Sequence, residues 1–278
     1  MAQNRSAPAN ATLVRVAVSV HDKDGRPVSG LTKESFQIFE DQAPQEISFF
    51  KQEDEAASVG IVVDDSGSMR NRRDRVNNAV LAFIRGSNPE NELFVVSFGD
   101  SARLEQGFTR SISNLIEALD GLMSRGQTAL YDAIHLSMEK IADGRMETKA
   151  LLLVSDGEDN ASRHGYDEIT KRLKESAVTV YVIGLLERSS SSKSRQTLQE
   201  IADTTGGRAY FPKSIDEIEE VCKQVARDLR NRYTIGYLPT SSKPNGSWRD
   251  VKVSLAPSKN PAAKFTVRSK PGYFAAAK

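Results

Sequence analysis

Apolar residues alternate strictly over residues 13–20: Val14, Val16, Val18 and Val20 fall on one face, Arg15, Ala17 and Ser19 on the other. A period of two marks a half-buried β-strand. Asp22-Lys23-Asp24-Gly25 and Arg26-Pro27 then make a turn, and residues 36–40 and 46–51 read as further strands separated by Asp41-Gln42-Ala43-Pro44. The chain beyond Asn231 has the same texture. Residues 233–238, 248–255 and 264–268 are strand-like, divided by spacers at 239–247 and 256–262 that are rich in Pro, Ser and Asn. About three strands per flank are too few for a well-covered sheet, whereas six or so together suit a sandwich. The two flanks, 12–56 and 233–278, are therefore expected to form one discontinuous β-sandwich, preceded by a polar tail over 1–11.

Between them, over 57–232, the pattern changes. Strand-like runs at 59–63, 93–98, 150–154, 178–185 and 209–211 alternate with helical stretches. The helices run through Val76, Val80, Phe83 and Ile84; through Ile112, Leu115, Ile116 and Leu119; over 128–141; over 166–176; near 198–202; and through Ile215, Ile218, Val221, Cys222, Val225 and Leu229. Such alternation predicts an α/β unit with a doubly wound, mostly parallel sheet flanked by helices. The nearly unbroken apolar runs Gly60-Ile61-Val62-Val63 and Leu151-Leu152-Leu153-Val154 suit central strands covered on both faces.

Composition narrows the function. The 278 residues are 38% hydrophobic, and 38 Lys+Arg against 37 Asp+Glu leave a net charge of +1 with no long block of one sign. A wholly disordered chain is excluded, and nothing resembles a nucleic-acid footprint. Cys222 is the only cysteine, so neither an internal disulfide framework nor a thiolate zinc site can form. No stretch approaches the roughly 20 apolar residues of a membrane-spanning helix. Residues 1–8 lack the apolar core of a secretory signal and read as a polar tail; a signal preceding them would place the protein outside the cytoplasm.

Three polar strings sit just beyond apolar strands: Asp64-Asp65-Ser66-Gly67-Ser68, Thr128, and Ser155-Asp156-Gly157. In open α/β sheets, ligands bind outside the carboxyl ends of the strands. Asp64 and Asp156 therefore point to one edge. In an extended loop, Asp64, Ser66 and Ser68 face the same way, and Thr128 offers a hydroxyl from a third loop. Carboxylate and hydroxyl oxygens favour a hard divalent ion. Few charged ligands in a tight octahedron favour Mg2+, with Mn2+ or Ca2+ as alternatives.

The Asp-x-Ser-x-Ser string, Thr128 within Gly126-Gln127-Thr128-Ala129-Leu130-Tyr131-Asp132-Ala133-Ile134, and Ser155-Asp156-Gly157 together resemble the metal ion-dependent adhesion site of von Willebrand factor type A domains. Ile201-Ala202-Asp203-Thr204-Thr205-Gly206-Gly207-Arg208-Ala209-Tyr210 is similar to that family's late helix, glycine turn and last strand. The resemblance implies that Asp64, Ser66, Ser68, Thr128 and Asp156 bind the metal and that a partner's Asp or Glu completes its coordination. It also implies that the last helix moves when such a site opens. The flanks, through Asp24-Gly25-Arg26-Pro27-Val28, Tyr233-Thr234-Ile235-Gly236-Tyr237 and Pro271-Gly272-Tyr273, are similar to bacterial, acidobacterial-like proteins in which the module is inserted in a β region. That likeness implies export to the periplasm or the exterior.

Other polar residues carry blander expectations. Asp65, Glu158 and Asp159 read as solvated loop carboxylates, the run Arg70, Arg72, Arg73, Arg75 as a solvated helix entrance, His164 as a surface-loop histidine and Cys222 as core. A metal-dependent phosphoesterase is the enzymatic alternative, but His135 falls roughly 10 Å along its helix from Thr128, and no Walker loop, nucleophile elbow or His-Glu-x-x-His is present. A module whose metal is purely stabilising is the third reading. The expectation is a non-enzymatic, divalent-metal-dependent protein-binding module.

Overall fold

The computed structural model describes residues 12–52, 54–186, 192–240, 246–257 and 264–275. The polar tail expected over 1–11, and much of both Pro/Ser/Asn-rich spacers, lie outside the described residues. The chain forms two compact units, Met1–Asp54 with Asn231–Lys278, and Glu55–Arg230. Four strands come first: β1 (Val14–His21), β2 (Phe36–Glu40), β3 (Ala43–Gln45) and β4 (Ile47–Gln52). The second unit then runs β5 (Ala57–Asp64), α1 (Arg73–Gly86), β6 (Glu92–Phe98), β7 (Ala102–Thr109), α2 (Ile112–Asp120), α3 (Leu130–Ala142), β8 (Thr148–Ser155), α4 (Tyr166–Glu175), β9 (Thr179–Gly184), α5 (Ser192–Thr204), β10 (Ala209–Tyr210) and α6 (Ile218–Arg230). The last strands are β11 (Tyr233–Tyr237), β12 (Trp248–Leu255), β13 (Thr266–Ser269) and β14 (Gly272–Phe274).

In the first unit, two four-stranded sheets, ordered β13-β1-β11-β4 and β14-β12-β2-β3, share one core. Val16 lies opposite Ile235 across the β1/β11 ladder, and with Val18, Val20 and Tyr237 they meet Phe36, Ile38, Val251 and Val253 of the other sheet. An ion pair is enclosed there. Glu40 accepts hydrogen bonds from the Tyr237 and Tyr273 hydroxyls at 2.7 and 2.8 Å and from Arg249 Nη1 at 3.2 Å. The segment expected only to separate β2 from β4 adds the edge strand β3. Asp41 (φ 47°) and Gln42 (φ 68°) both adopt the left-handed conformation of a tight hairpin turn, and Pro44 is tolerated because β3 ends its sheet.

The second unit has a six-stranded sheet, β10-β9-β8-β5-β6-β7, parallel throughout except for β7. Ile61, Val63, Leu152 and Val154 point to one side, against Phe83 of α1, Leu115 of α2 and Val225 of α6. Val62, Leu151 and Leu153 point to the other, against Leu130 and Ile134 of α3, Leu173 of α4 and Leu198 of α5. Each such side chain contributes about 1.5–3 kcal/mol when fully buried. Gly60 is required in this central strand, since a Cβ there would lie 2.3 Å from Phe94 Cζ. Cys222 is buried in the core, and burial pushes its thiol up to about 12. No helix among the described residues is long and apolar enough to cross a membrane.

Connectivity places the site. From β5 the chain winds outward through β6 and β7, then returns to β8 on the other side of β5 and winds outward again through β9 and β10. The crossovers diverge between β5 and β8, so a crevice opens at the carboxyl ends of these two strands.

Candidate metal centre

Asp64 is the last residue of β5, and Asp156 follows β8 directly. Parallel pairing of Val63 with Val154 brings both carboxylates to that crevice. Asp64 is only 3% exposed and Asp156 9%. Asp64 Oδ1 accepts the Ser66 amide at 3.0 Å, turning the chain back on itself, and Oδ2 accepts the Ser155 hydroxyl at 2.9 Å. The Ser66 and Ser68 hydroxyl oxygens lie 3.0 Å apart, and Ser68 Oγ donates to Asp156 Oδ2 at 2.6 Å. A continuous chain of oxygens thus joins the first and third loops.

The expected extended conformation is not what aligns the serines. A single 3-10 turn, Gly67–Met69, follows Ser66 and brings the two hydroxyls together. Ser66 is buried and Ser68 exposed, so Ser68 stands at the mouth. Glycine is needed at 157, where φ is +83° and a Cβ would lie 2.9 Å from Leu198 Cδ1.

Thr128 belongs to a loop, since α3 begins at Leu130 rather than at 128. It is buried, and its backbone is fastened to the third loop: its N–H donates to Asn160 Oδ1 at 2.9 Å and its carbonyl accepts from Asn160 and Ala161. The first and second loops are joined by Gly67 N–H to the Gly126 carbonyl at 3.1 Å and by Arg125 N–H to the Asp65 carbonyl at 2.9 Å. Backbone hydrogen bonds therefore fasten the second loop to both the first and the third, while side chains join the first to the third.

The two carboxylates of this cluster interact unfavourably. Burial first, and the Asp156 charge second, push the Asp64 carboxyl up to about 6, against the hydrogen bonds of Ser66 and Ser155. Two enclosed carboxylates repelling each other among hydroxyls are a donor set suited to a hard cation. Asp64, Ser66, Ser68, Thr128 and Asp156 are the residues that could hold it.

Several neighbours have roles that residue type alone does not reveal. Asp65 is not a solvated carboxylate: it is buried and accepts from Met123 N–H at 3.0 Å and Ser124 Oγ at 3.1 Å, bracing the first loop. Asp159 likewise accepts from Tyr131 N–H at 3.2 Å and from Ser162 Oγ at 2.5 Å. Arg72 is no free rim charge either, since its guanidinium donates to the Leu185 carbonyl at 2.9 Å. Ser155 orients Asp64 and also accepts from Gly157 N–H at 3.0 Å, which ties both aspartate loops to one hydroxyl. Its place before Asp156 was the only sequence signal for this.

A family model for the von Willebrand factor type A domain matches residues 58–224, more than half of the chain. The chain belongs to the von Willebrand factor type A family. Solved structures with this fold include a von Willebrand factor type A protein from Catenulispora acidiphila, with TM-score 0.56 and 12% identity over 96% of this chain and 75% of that one. The vWF domain of the type V pili tip protein from Porphyromonas gingivalis gives a TM-score of 0.52 at 11% identity, covering 61% of this chain and 95% of that chain. Proximal thread matrix protein 1 from the mussel byssus, solved with a zinc-occupied MIDAS motif, gives 0.56 at 18% identity, covering 68% and 49%. Among curated proteins, none matches the chain significantly. At these identities the likenesses speak to the type A fold alone.

Proposed function

We propose that this type A domain is a divalent-cation-dependent protein-binding module, acting in adhesion or assembly. Asp64, Ser66, Ser68, Thr128 and Asp156 would hold Mg2+, with Mn2+ or Ca2+ as substitutes, and the ion would take a carboxylate oxygen from an Asp or Glu of a partner protein. The observation that carries this reading is the buried Asp64/Asp156 pair, joined through Ser66 and Ser68 and placed where two crossovers diverge. Two aspartates roughly neutralise a doubly charged ion, so a third carboxylate meets no excess negative charge. Ser68, exposed at the mouth, lies on the side from which such a group would enter.

Bound Mg2+ can also activate water for phosphoester hydrolysis, but that reaction wants an acid and a base within hydrogen-bond reach. The two histidines of this unit are engaged elsewhere: His135 with Arg172 and His164 with Asp132. An export destination, in the periplasm or outside the cell, belongs to the same proposal.

The test is capture of partners from an envelope fraction on immobilised full-length protein, in Mg2+ and in EDTA, with Asp156→Ala as control. A partner retained in Mg2+ and released by EDTA or by the substitution is expected. Retention at full strength in EDTA contradicts the proposal, and phosphoester turnover lost in Asp64→Ala would replace it with hydrolysis.

A further inference from the structure

A second group of potential ligands lies on the outer side of α3 and α4. One ligand atom from each of His135, His164 and Glu168 falls within 4.8 Å of the others. The two imidazoles are stacked, with centroids 3.8 Å apart and planes inclined by 15°, and His164 Nε2 is 3.9 Å from Glu168 Oε1. We propose that His135, His164 and Glu168 form a second metal site, for a borderline divalent cation of the zinc class, distinct in chemistry from the all-oxygen cluster.

Two features of the neighbourhood fit imidazole ligation. Asp132 Oδ1 lies 2.7 Å from His164 Nδ1, and a carboxylate can only accept, so the proton sits on Nδ1 and the Nε2 lone pair faces Glu168. A carboxylate behind a histidine in this way fixes tautomer and ring orientation and raises ligand basicity. Arg172 Nη1 is hydrogen-bonded to His135 Nε2, and because a guanidinium can only donate, that nitrogen too presents a lone pair. Arg172 thus holds a positive charge against a nitrogen that a cation could take.

The ligand atoms stand somewhat wide of a zinc site. Zn–N bonds of about 2.0–2.1 Å in a tetrahedron put donors roughly 3.3 Å apart, so closure on the order of 1 Å is needed. One ring must also turn about χ2 for the lone pairs to converge. His164 and Glu168 side chains are 31% and 53% exposed, so both can move and the site is open to solvent. Imidazole nitrogens select zinc-class ions over Mg2+.

The experiment is calorimetric titration of Zn2+ into the full chain carrying D64N and D156N, which disarms the oxygen cluster. One equivalent bound at micromolar concentration is expected, weakened at least tenfold by adding H135Q and H164Q. Glu168→Gln, on a half-exposed side chain, serves should the multiple variant fold poorly and is expected to weaken binding about tenfold. Arg172→Gln is expected to tighten it, by freeing His135 Nε2. Absence of Zn2+ uptake in the D64N/D156N protein, or uptake indifferent to His135, His164 and Glu168, would overturn the proposal. Neither result bears on Mg2+ binding by the first cluster.

Discussion

Ser68 donates its hydroxyl hydrogen to Asp156 Oδ2 at 2.6 Å, across 88 residues of sequence. This single bond spans the crevice between β5 and β8, and it satisfies a carboxylate that would otherwise face Asp64 across a poorly hydrated gap. Charge-assisted bonds of this kind contribute about 1.5–3 kcal/mol. A divalent ion would take over the same task for both carboxylates.

The repulsion has a pH signature. Asp64 titrates near 6 in the folded chain against an ordinary value of 3.8, burial being the larger cause and Asp156 the smaller. A raised carboxyl favours the fold while it is protonated, below about pH 4, and that advantage is lost as pH rises through about 6. Metal-free wild type should lose on the order of 3 kcal/mol relative to Asp64→Asn between those limits. Urea unfolding of both proteins in EDTA across the range measures this, and parallel stabilities at every pH would contradict it.

Ser155 provides a test of positioning. Ser155→Ala removes the donor to Asp64 Oδ2 and the acceptor for Gly157 N–H together. The expected effects are about 1–3 kcal/mol of lost stability and roughly tenfold weaker Mg2+ binding, read by thermal unfolding and calorimetry.

Gly157→Ala should be costly for two reasons at once: φ is +83°, and the new methyl would press on Leu198 Cδ1 and the Ser194 carbonyl. A loss of about 1–3 kcal/mol is predicted. Displacement of the Asp156 loop should weaken Mg2+ binding as well, and an unchanged melting temperature would show that the turn relaxes freely.

In the β-sandwich, Glu40 holds Arg249, Tyr237 and Tyr273 in a buried network. Glu40→Leu leaves the Arg249 cation enclosed without its carboxylate, at a cost of about 3–5 kcal/mol. Paired replacement of Glu40 and Arg249 by apolar residues should recover much of that loss in denaturant unfolding.

Much of the architecture is legible in the residues. Gly60-Ile61-Val62-Val63 and Leu151-Leu152-Leu153-Val154 are too apolar to face water on either side, so they become central strands. Strand β7 escaped because its residues, Ala-Arg-Leu-Glu-Gln-Gly-Phe-Thr, lie at a sheet edge with none fully buried, so they carry no clear apolar alternation, and its register against β6 slips twice. Strand β14 is three residues long, too short for any periodicity. At the site, the adjacent Asp64 and Asp65 look alike in sequence, yet one faces the crevice and the other braces Met123 and Ser124. That difference is set by the fold of residues 58 positions away. The stacking of His135 on His164 was likewise invisible, because it depends on how α3 meets the start of α4.

The central claim is that oxygens from three loops gather around one hard cation. Calorimetric titration of Mg2+ into metal-free wild-type protein at neutral pH tests it most directly. The account predicts one equivalent bound by wild type and none by the D64N/D156N protein. No uptake of Mg2+ or Mn2+ by folded wild type, or uptake unchanged by those substitutions, would contradict it.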